Sequence, residues 1–376
     1  MLGKLISYVT RIGLLLIMAA LIAGMVGCPG GYDPPPSQNL EIRTWYDLDE
    51  VRDNLAGNHT LMNDLDSTTP GYEELAGPTT NGGKGWDPIG TFDCNSRFIV
   101  AFEGTLDGQG YEIRDLFIDR PQEQCVGLFG AVSRPFGGSE QSGVIRDINV
   151  TNATVIGKEF VGSLVGRCHG TVTNSCSAGN VTGEADVGGL VGIGGTMSNS
   201  HFTGSVAGET YVGGLVGRNW GSVTSCSSSS SATGDNRVGG LVGQNTGTVT
   251  NSYSTGNVTG SWGVGGLVGW NWYEVPGVVN HSYSTGSVTA DPSYSAGGLV
   301  GHDQGGTVSY SFWDTETSGK VTSDGGTGKN TTEMQDIITF SGAGWNITAV
   351  DLNETNPGYI WNIINNVIYP FLSWQP

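Results

Sequence analysis

Between residues 126 and 301 the chain returns again and again to one short phrase of apolar residues and glycine. VGSLVG starts at Val161, VGGLVG at Val187, Val212, Val238 and Val264, AGGLVG at Ala296, and a degenerate VGLFG at Val126. Successive starts from 161 lie 26, 25, 26, 26 and 32 residues apart, and the first gap, from 126, is 35. A second phrase recurs between them: GTVTNSCSAGNVTG from Gly170, GTVTNSYSTGNVTG from Gly247 and GVVNHSYSTGSVTA from Gly277. β-Branched residues alternating with Ser, Thr and Asn predict short strands. Gly and Asn between them predict corners at positive φ. No helical period is evident between 126 and 319. A unit this short cannot bury its own apolar face, but units stacked in parallel about 4.8 Å apart bury a continuous column. The expected fold is all-β, a parallel β-helix (β-solenoid) with rungs of about 26 residues.

The register follows from the spacing. Gly170, Gly195, Gly221, Gly247, Gly277 and Gly306 align, which places Val172, Met197, Val223, Val249 and Val279 or its neighbour in one apolar column. Asn174 and Asn199 then stack as an amide ladder. Cys176, His201, Ser227, Tyr253, Tyr283 and Phe312 form a further column, with Cys226 in the column between. The solenoid spans 126–319. Before it, 41–125 reads as an N-terminal cap with irregular first rungs and an amphipathic helix near Asp47 to Leu55. After it, 320–376 reads as an aromatic C-terminal cap with a helix signal at Thr331-Thr332-Glu333-Met334. Arrays need such caps because a bare terminal rung exposes core and strand edge.

The start of the chain belongs to targeting. Lys4 and Arg11 precede an apolar run from Ile12 to Val26, signal-like in length and short of the roughly 20 residues that span a bilayer. The run ends in Met25-Val26-Gly27-Cys28, similar to the lipobox of bacterial lipoproteins, with Met25 in place of the usual Leu. Residues 1–28 are therefore expected to be a lipoprotein signal peptide with Cys28 the lipidated residue; an uncleaved anchor is the alternative. Residues 29–40, rich in Pro and Gly, form a linker. The expected location is the outer face of the membrane or the cell surface.

Composition narrows the rest. Glycine fills 63 of 376 positions, and 35 acidic residues against 16 basic ones leave a net charge of −19. Nucleic acid, which calls for clustered Lys and Arg, is excluded as a partner. With Cys28 set aside, five cysteines remain: Cys94, Cys125, Cys168, Cys176 and Cys226. Cys176 and Cys226 fall two rungs apart on opposite faces, too far for a bridge, which leaves Cys94 with Cys125 by elimination. No C-x-x-C spacing occurs, and neither a metal nor a cofactor is expected.

These repeats resemble those of the GLUG-motif family, whose core is matched at Gly189-Leu190-Val191-Gly192 and its copies. Trp86-Asp87-Pro88-Ile89-Gly90, Gly104 to Gly110, SFWDTETSG from Ser311, GGTGKNTTEM from Gly325 and YPFLSWQ from Tyr369 carry the resemblance across nearly all of the chain beyond the leader. It implies a bacterial or archaeal surface protein, similar in its repeats to the non-catalytic part of immunoglobulin A peptidases. Their catalytic H-E-x-x-H motif is missing, because none of His59, His169, His201, His281 and His302 is followed by Glu.

Three short motifs invite chemistry and do not sustain it. Asp107-Gly108-Gln109-Gly110 lacks the spacing of a calcium loop and reads as a corner turn. Asp314 and Glu316 could face one side of a strand as acid and base, but a solvated turn off the last rung is favoured. Gly325 to Lys329 lacks the phosphate-loop spacing. The aromatics are more telling. Trp220 and Trp272 fall in the same corner column two rungs apart, with Trp270 and Tyr273 beside Trp272 and Trp262 on a neighbouring corner. Such a row either stacks sugar rings or shields the solenoid's seam. The expectation is a non-enzymatic binding or structural module contacting a surface glycan or protein. A polysaccharide-active β-helix enzyme is the alternative.

Overall fold

A computed structural model of the protein describes residues 39–93, 98–133, 142–272 and 277–375. Cys28, Cys94 and Tyr273 lie outside the described residues, and with them the lipidation site and the Cys94–Cys125 pairing.

The protein is a parallel β-solenoid. Three sheets of 15, 13 and 7 strands run along its length, each built from parallel neighbours one turn apart. One turn shows the plan. Asn236–Gly239 joins the third sheet, Val242–Asn245 and Thr248–Thr250 join the first, and Tyr253–Ser254 and Val258–Gly260 join the second. Stacking starts early, since Glu41–Ile42 and Asn58–Leu61 already belong to the first sheet. The register is the expected one: Val172 pairs Met197, then Val223, Val249 and Val279 follow in line. Leu190, Leu215, Leu241, Leu267 and Leu299 are all fully buried in a single continuous core.

Corners and glycines divide their labour differently from expectation. The positive-φ corner is held by Asn174, Asn199, Ser225, Asn251, His281 and Tyr310, with φ between 46° and 51°. Asn tolerates this region better than other non-glycine residues. The glycines of VGGLVG are not at positive φ; they are there for close approach. A Cβ on Gly213 would overlap the Val216 carbonyl oxygen, and one on Gly214 the Gly240 carbonyl oxygen of the next rung. The third glycine faces another sheet: a Cβ on Gly243 would lie 2.6 Å from the Tyr211 carbonyl carbon and 2.7 Å from the Val212 nitrogen. Glycine therefore lets the first and third sheets pack backbone to backbone.

Polar ladders satisfy what this packing buries. Asn199 Nδ2 donates to Asn174 Oδ1 at 3.1 Å, as the spacing predicts. A second ladder lies inside, with Asn219 donating to Asn245 at 2.8 Å and Asn245 to Asn271 at 2.9 Å, all three fully buried. A third runs through Ser175, Ser200, Cys226, Ser252, Ser282 and Ser311, each side chain donating to the carbonyl two residues back. Cys226 thus stands in a serine column, and burial pushes its thiol up to about 12.

The caps do two jobs each. At the N-terminal end Thr44 and Asp47 form a capping box on the helix Trp45–Glu50, and Val51–Asp53 continues it as a 3-10 turn. Trp45, Leu48 and Val51 close the first rungs. At the other end Ser323 Oγ accepts from the Leu299 and Val300 amides, and Thr327–Lys329 adds a strand to Phe312–Asp314. From Thr331 the chain turns down the flank of the second sheet. There Phe340, Trp345, Trp361 and Leu372 form a second core with Tyr283 and Phe312, while Tyr253 packs against it. Tyr253 and Tyr283 stack at 5.0 Å and 2°, and Tyr283 donates to the Pro370 carbonyl.

Candidate binding face

Two columns meet where the first and third sheets are clamped together. The third sheet contributes Cys125, Phe160, Asp186, Tyr211 and Arg237, all at φ between 54° and 58°, and then Gly263 at 65°. The left-handed backbone interrupts the ladder at each of these positions without shifting it, since Ala185 pairs Thr210 and Val187 pairs Val212 on either side. The first sheet contributes Arg167, Ile193, Arg218, Gln244, Trp270 and His302 in register.

Arginines and aromatic rings interleave along this seam. Arg167 lies 5.6 Å from the Phe160 ring and 5.3 Å from Trp220, and Arg218 lies 4.3 Å from Tyr211. Arg237 lies 4.8 Å from Tyr211, 5.1 Å from Trp262 and 3.7 Å from Trp270. Each such contact is worth roughly 0.5–2 kcal/mol, more as water is excluded. Arg218 is also held by Asp186 through two bonds of 2.7 and 2.6 Å. Burial is the larger influence on Asp186 and pushes its carboxyl up, with the Arg218 guanidinium opposing it. His169, beside Trp220 at 5.6 Å, is pushed down to about 4 by burial and then by Arg167.

Trp220 and Trp272 do share one corner column, because the residues before them, Asn219 and Asn271, lie in register through Asn245. Their surroundings differ. Trp220 is 40% exposed. Trp272 is half-buried and meets the edge of Trp270 at 4.5 Å, while Trp262 meets Trp270 at 4.8 Å. Trp270 itself is only 6% exposed, with His302 at 5.7 Å. The column thus carries one open indole and one that belongs to a ring cluster.

The same cluster holds an excess of unmet polar atoms. Eight buried side-chain atoms lack a hydrogen-bond partner among the described residues, and five are here: Asn236 Oδ1, Arg237 Nε, Gln244 Oε1, Trp270 Nε1 and Ser295 Oγ. Each such group costs about 1–3 kcal/mol. Arg237 and Gln244 carry no signal in the sequence, because a lone polar residue in a column has no period.

A groove away from the seam was not foreseen. A groove of about 700 Å³ separates the second sheet from the C-terminal segment, lined among others by His201, Tyr253, Leu352, Ile368, Phe371 and Trp374. The carboxylates weighed for catalysis and for calcium, Asp314 and Asp107, are otherwise engaged. Asp314, expected in a solvated turn, is fully buried. It caps the helix Thr315–Ser318 and accepts from Tyr369 at 2.7 Å and Thr331 at 2.8 Å. Asp107 pairs with Arg146 at 2.6 Å and accepts from the Gln109 amide, a corner role.

A family model described as the GLUG motif matches residues 208–233, 234–259 and 260–289. The three repeats matched are GLUG repeats. Each match covers one full turn of the solenoid, so the GLUG unit here is the rung. The chain is 40% identical over 112 residues to halomucin of Haloquadratum walsbyi, covering 30% of this chain and 1% of that protein. It is 36% identical over 138 residues to a protein of Evansella cellulosilytica named provisionally a Gly-rich membrane protein, covering 35% of this chain and 14% of that one. The fold is similar to that of a Bacteroides ovatus protein assigned provisionally to the immunoglobulin A1 proteases. That match has a TM-score of 0.52 and 16% identity, covering 91% of this chain and 94% of the other. At this identity the likeness is one of fold.

Proposed function

We propose that this GLUG-repeat chain is a membrane-anchored, extracellular β-solenoid that acts by contact, holding a surface glycan or protein against the seam of its first and third sheets, and that it is not an enzyme. One observation carries the reading. Trp220 stands open at the edge of a row of rings and guanidinium groups whose backbone is pinned by the glycine clamp and the buried Asn219–Asn245–Asn271 ladder. A rigid row of aromatic faces binds sugar rings or apolar side chains with little ordering cost. The names halomucin and Gly-rich membrane protein support a place at the cell surface, and Cys28 supplies the means of anchoring. The polysaccharide-active enzyme gains nothing from Asp314, which is consumed as a buried helix cap.

Retention of the full chain on immobilised polysaccharides tests this reading. Trp220→Ala and Trp272→Ala should each lower retention, by on the order of 1 kcal/mol per stacked ring. Trp220→Ala should leave the melting temperature nearly unchanged. Unchanged retention together with a lowered melting temperature would reassign both indoles to packing.

A further inference from the structure

Four of the five unmet polar atoms of the seam lie on two adjacent rungs. Gln244 and Trp270 are register partners on adjacent rungs, at 7% and 6% exposure. One presents an acceptor without a donor, Gln244 Oε1, and the other a donor without an acceptor, Trp270 Nε1. Arg237 lies over the Trp270 ring at 3.7 Å with its Nε unmet, and Asn236 beside it has an unmet Oδ1. Two donors and two acceptors are thus unmet beside the same ring cluster, and native proteins rarely leave buried polar groups without a partner.

Charge sharpens the point. Arg218, one rung earlier, is held by Asp186 through two bonds. Arg237 makes no ion pair among the described residues, although this chain has more than twice as many acids as bases. Its guanidinium faces three aromatic rings instead. A guanidinium fork matches a carboxylate bidentately, and hydroxyl groups donate as well as accept. The half-buried Trp262 and Trp272 border the patch and pack against Trp270, so a sugar ring stacked on either lies against the side chains that carry the unmet atoms.

We propose that Arg237, Gln244, Trp270 and Asn236 form a subsite for an acidic sugar, a uronic-acid unit whose carboxylate pairs with Arg237. Its hydroxyls donate to Gln244 Oε1 and Asn236 Oδ1, and a ring or carboxylate oxygen accepts from Trp270 Nε1. This rests on the reading of the seam as a contact face and names its ligand class.

The experiment compares binding of the full chain to an oligogalacturonate and to its methyl ester, which lacks only the carboxylate charge. The wild type should prefer the free acid by about tenfold, the scale of one charge-assisted pair, with the preference shrinking as salt rises. Arg237→Gln should abolish the preference between the two probes. Gln244→Leu, which removes the side-chain amide, and Trp270→Phe, which removes the indole N–H, both spare the charge and should weaken both probes alike, which keeps the test decisive where Arg237→Gln lowers stability. Equal or tighter binding of the ester by the wild type overturns the subsite, as does a preference that survives Arg237→Gln. If neutral glycans are retained in a Trp220- and Trp272-dependent way under those outcomes, the contact function stands and only the acidic subsite falls. If no saccharide is retained, the glycan form of both falls together.

Discussion

Substituting Gly243 by alanine separates the two reasons a chain can need glycine. A Cβ at this position would stand 2.6 Å from the Gly217 carbonyl oxygen of the preceding rung and 2.6 and 2.7 Å from Tyr211 and Val212 of the facing sheet, where ordinary contact begins at 3.4 Å. All three neighbours are backbone, so no side chain can turn aside. Accommodation requires the first and third sheets to part by most of an ångström, which is overpacking of about 1–3 kcal/mol. Any rung hydrogen bond broken in parting, such as the Val242 amide to the Leu267 carbonyl at 3.0 Å, adds about 1 kcal/mol. The expected loss is therefore about 2–4 kcal/mol. Gly263 is the control. It sits at φ 65°, its nearest neighbour to a Cβ is 3.6 Å away, and its column elsewhere accepts Tyr211 and Arg237. Gly263→Asn should cost within about 1 kcal/mol, because Asn visits this region readily. Urea unfolding of both variants, followed by circular dichroism, makes the comparison. Equal midpoints, or a lower midpoint for Gly263→Asn, would refute the clamp.

Two further outcomes follow from the same structure and a third from the leader sequence. Leu241→Asp places a carboxylate in a fully buried column and should cost several kcal/mol at neutral pH, less in acid where the carboxyl protonates; cooperative unfolding at the wild-type midpoint would contradict it. His169 titrates at about 4 when folded against an ordinary value of 6.5, so its contribution to stability is complete above pH 6.5 and is lost as the pH falls toward 4. His169→Gln should flatten that part of the stability profile, and an unaltered slope in the difference between variant and wild type would show that the imidazole protonates freely in place. Cys28→Ser should release the chain from membranes or block its processing, and normal processing with unchanged membrane fractionation would dismiss the lipid anchor.

Period and polarity were enough to fix the rung. A recurrence of about 26 residues in which β-branched residues alternate with Ser, Thr and Asn calls for parallel stacking, and the columns through Val172 and through Tyr253 appear in the register that the spacing demands. The capped helix at Thr331–Met334 was legible for the same reason: its signals are local. What the repeat cannot encode is what meets across it. The glycines looked like corners because glycine's commonest local use is positive φ. Only the facing sheet shows that Gly243 is needed for its missing Cβ. The aromatic tail looked like an end cap, and its first residues do cover the last rung. Its course down the flank onto Tyr253 and Tyr283 is decided by outward rings on rungs up to 122 residues away in sequence. The seam is the same case. Tryptophans stand out in a sequence, whereas Arg237 and Gln244 matter only because tertiary packing removes their water and leaves their atoms unmet. A single chain reports composition and period, but desolvation is a property of neighbours, and neighbours are set by the fold.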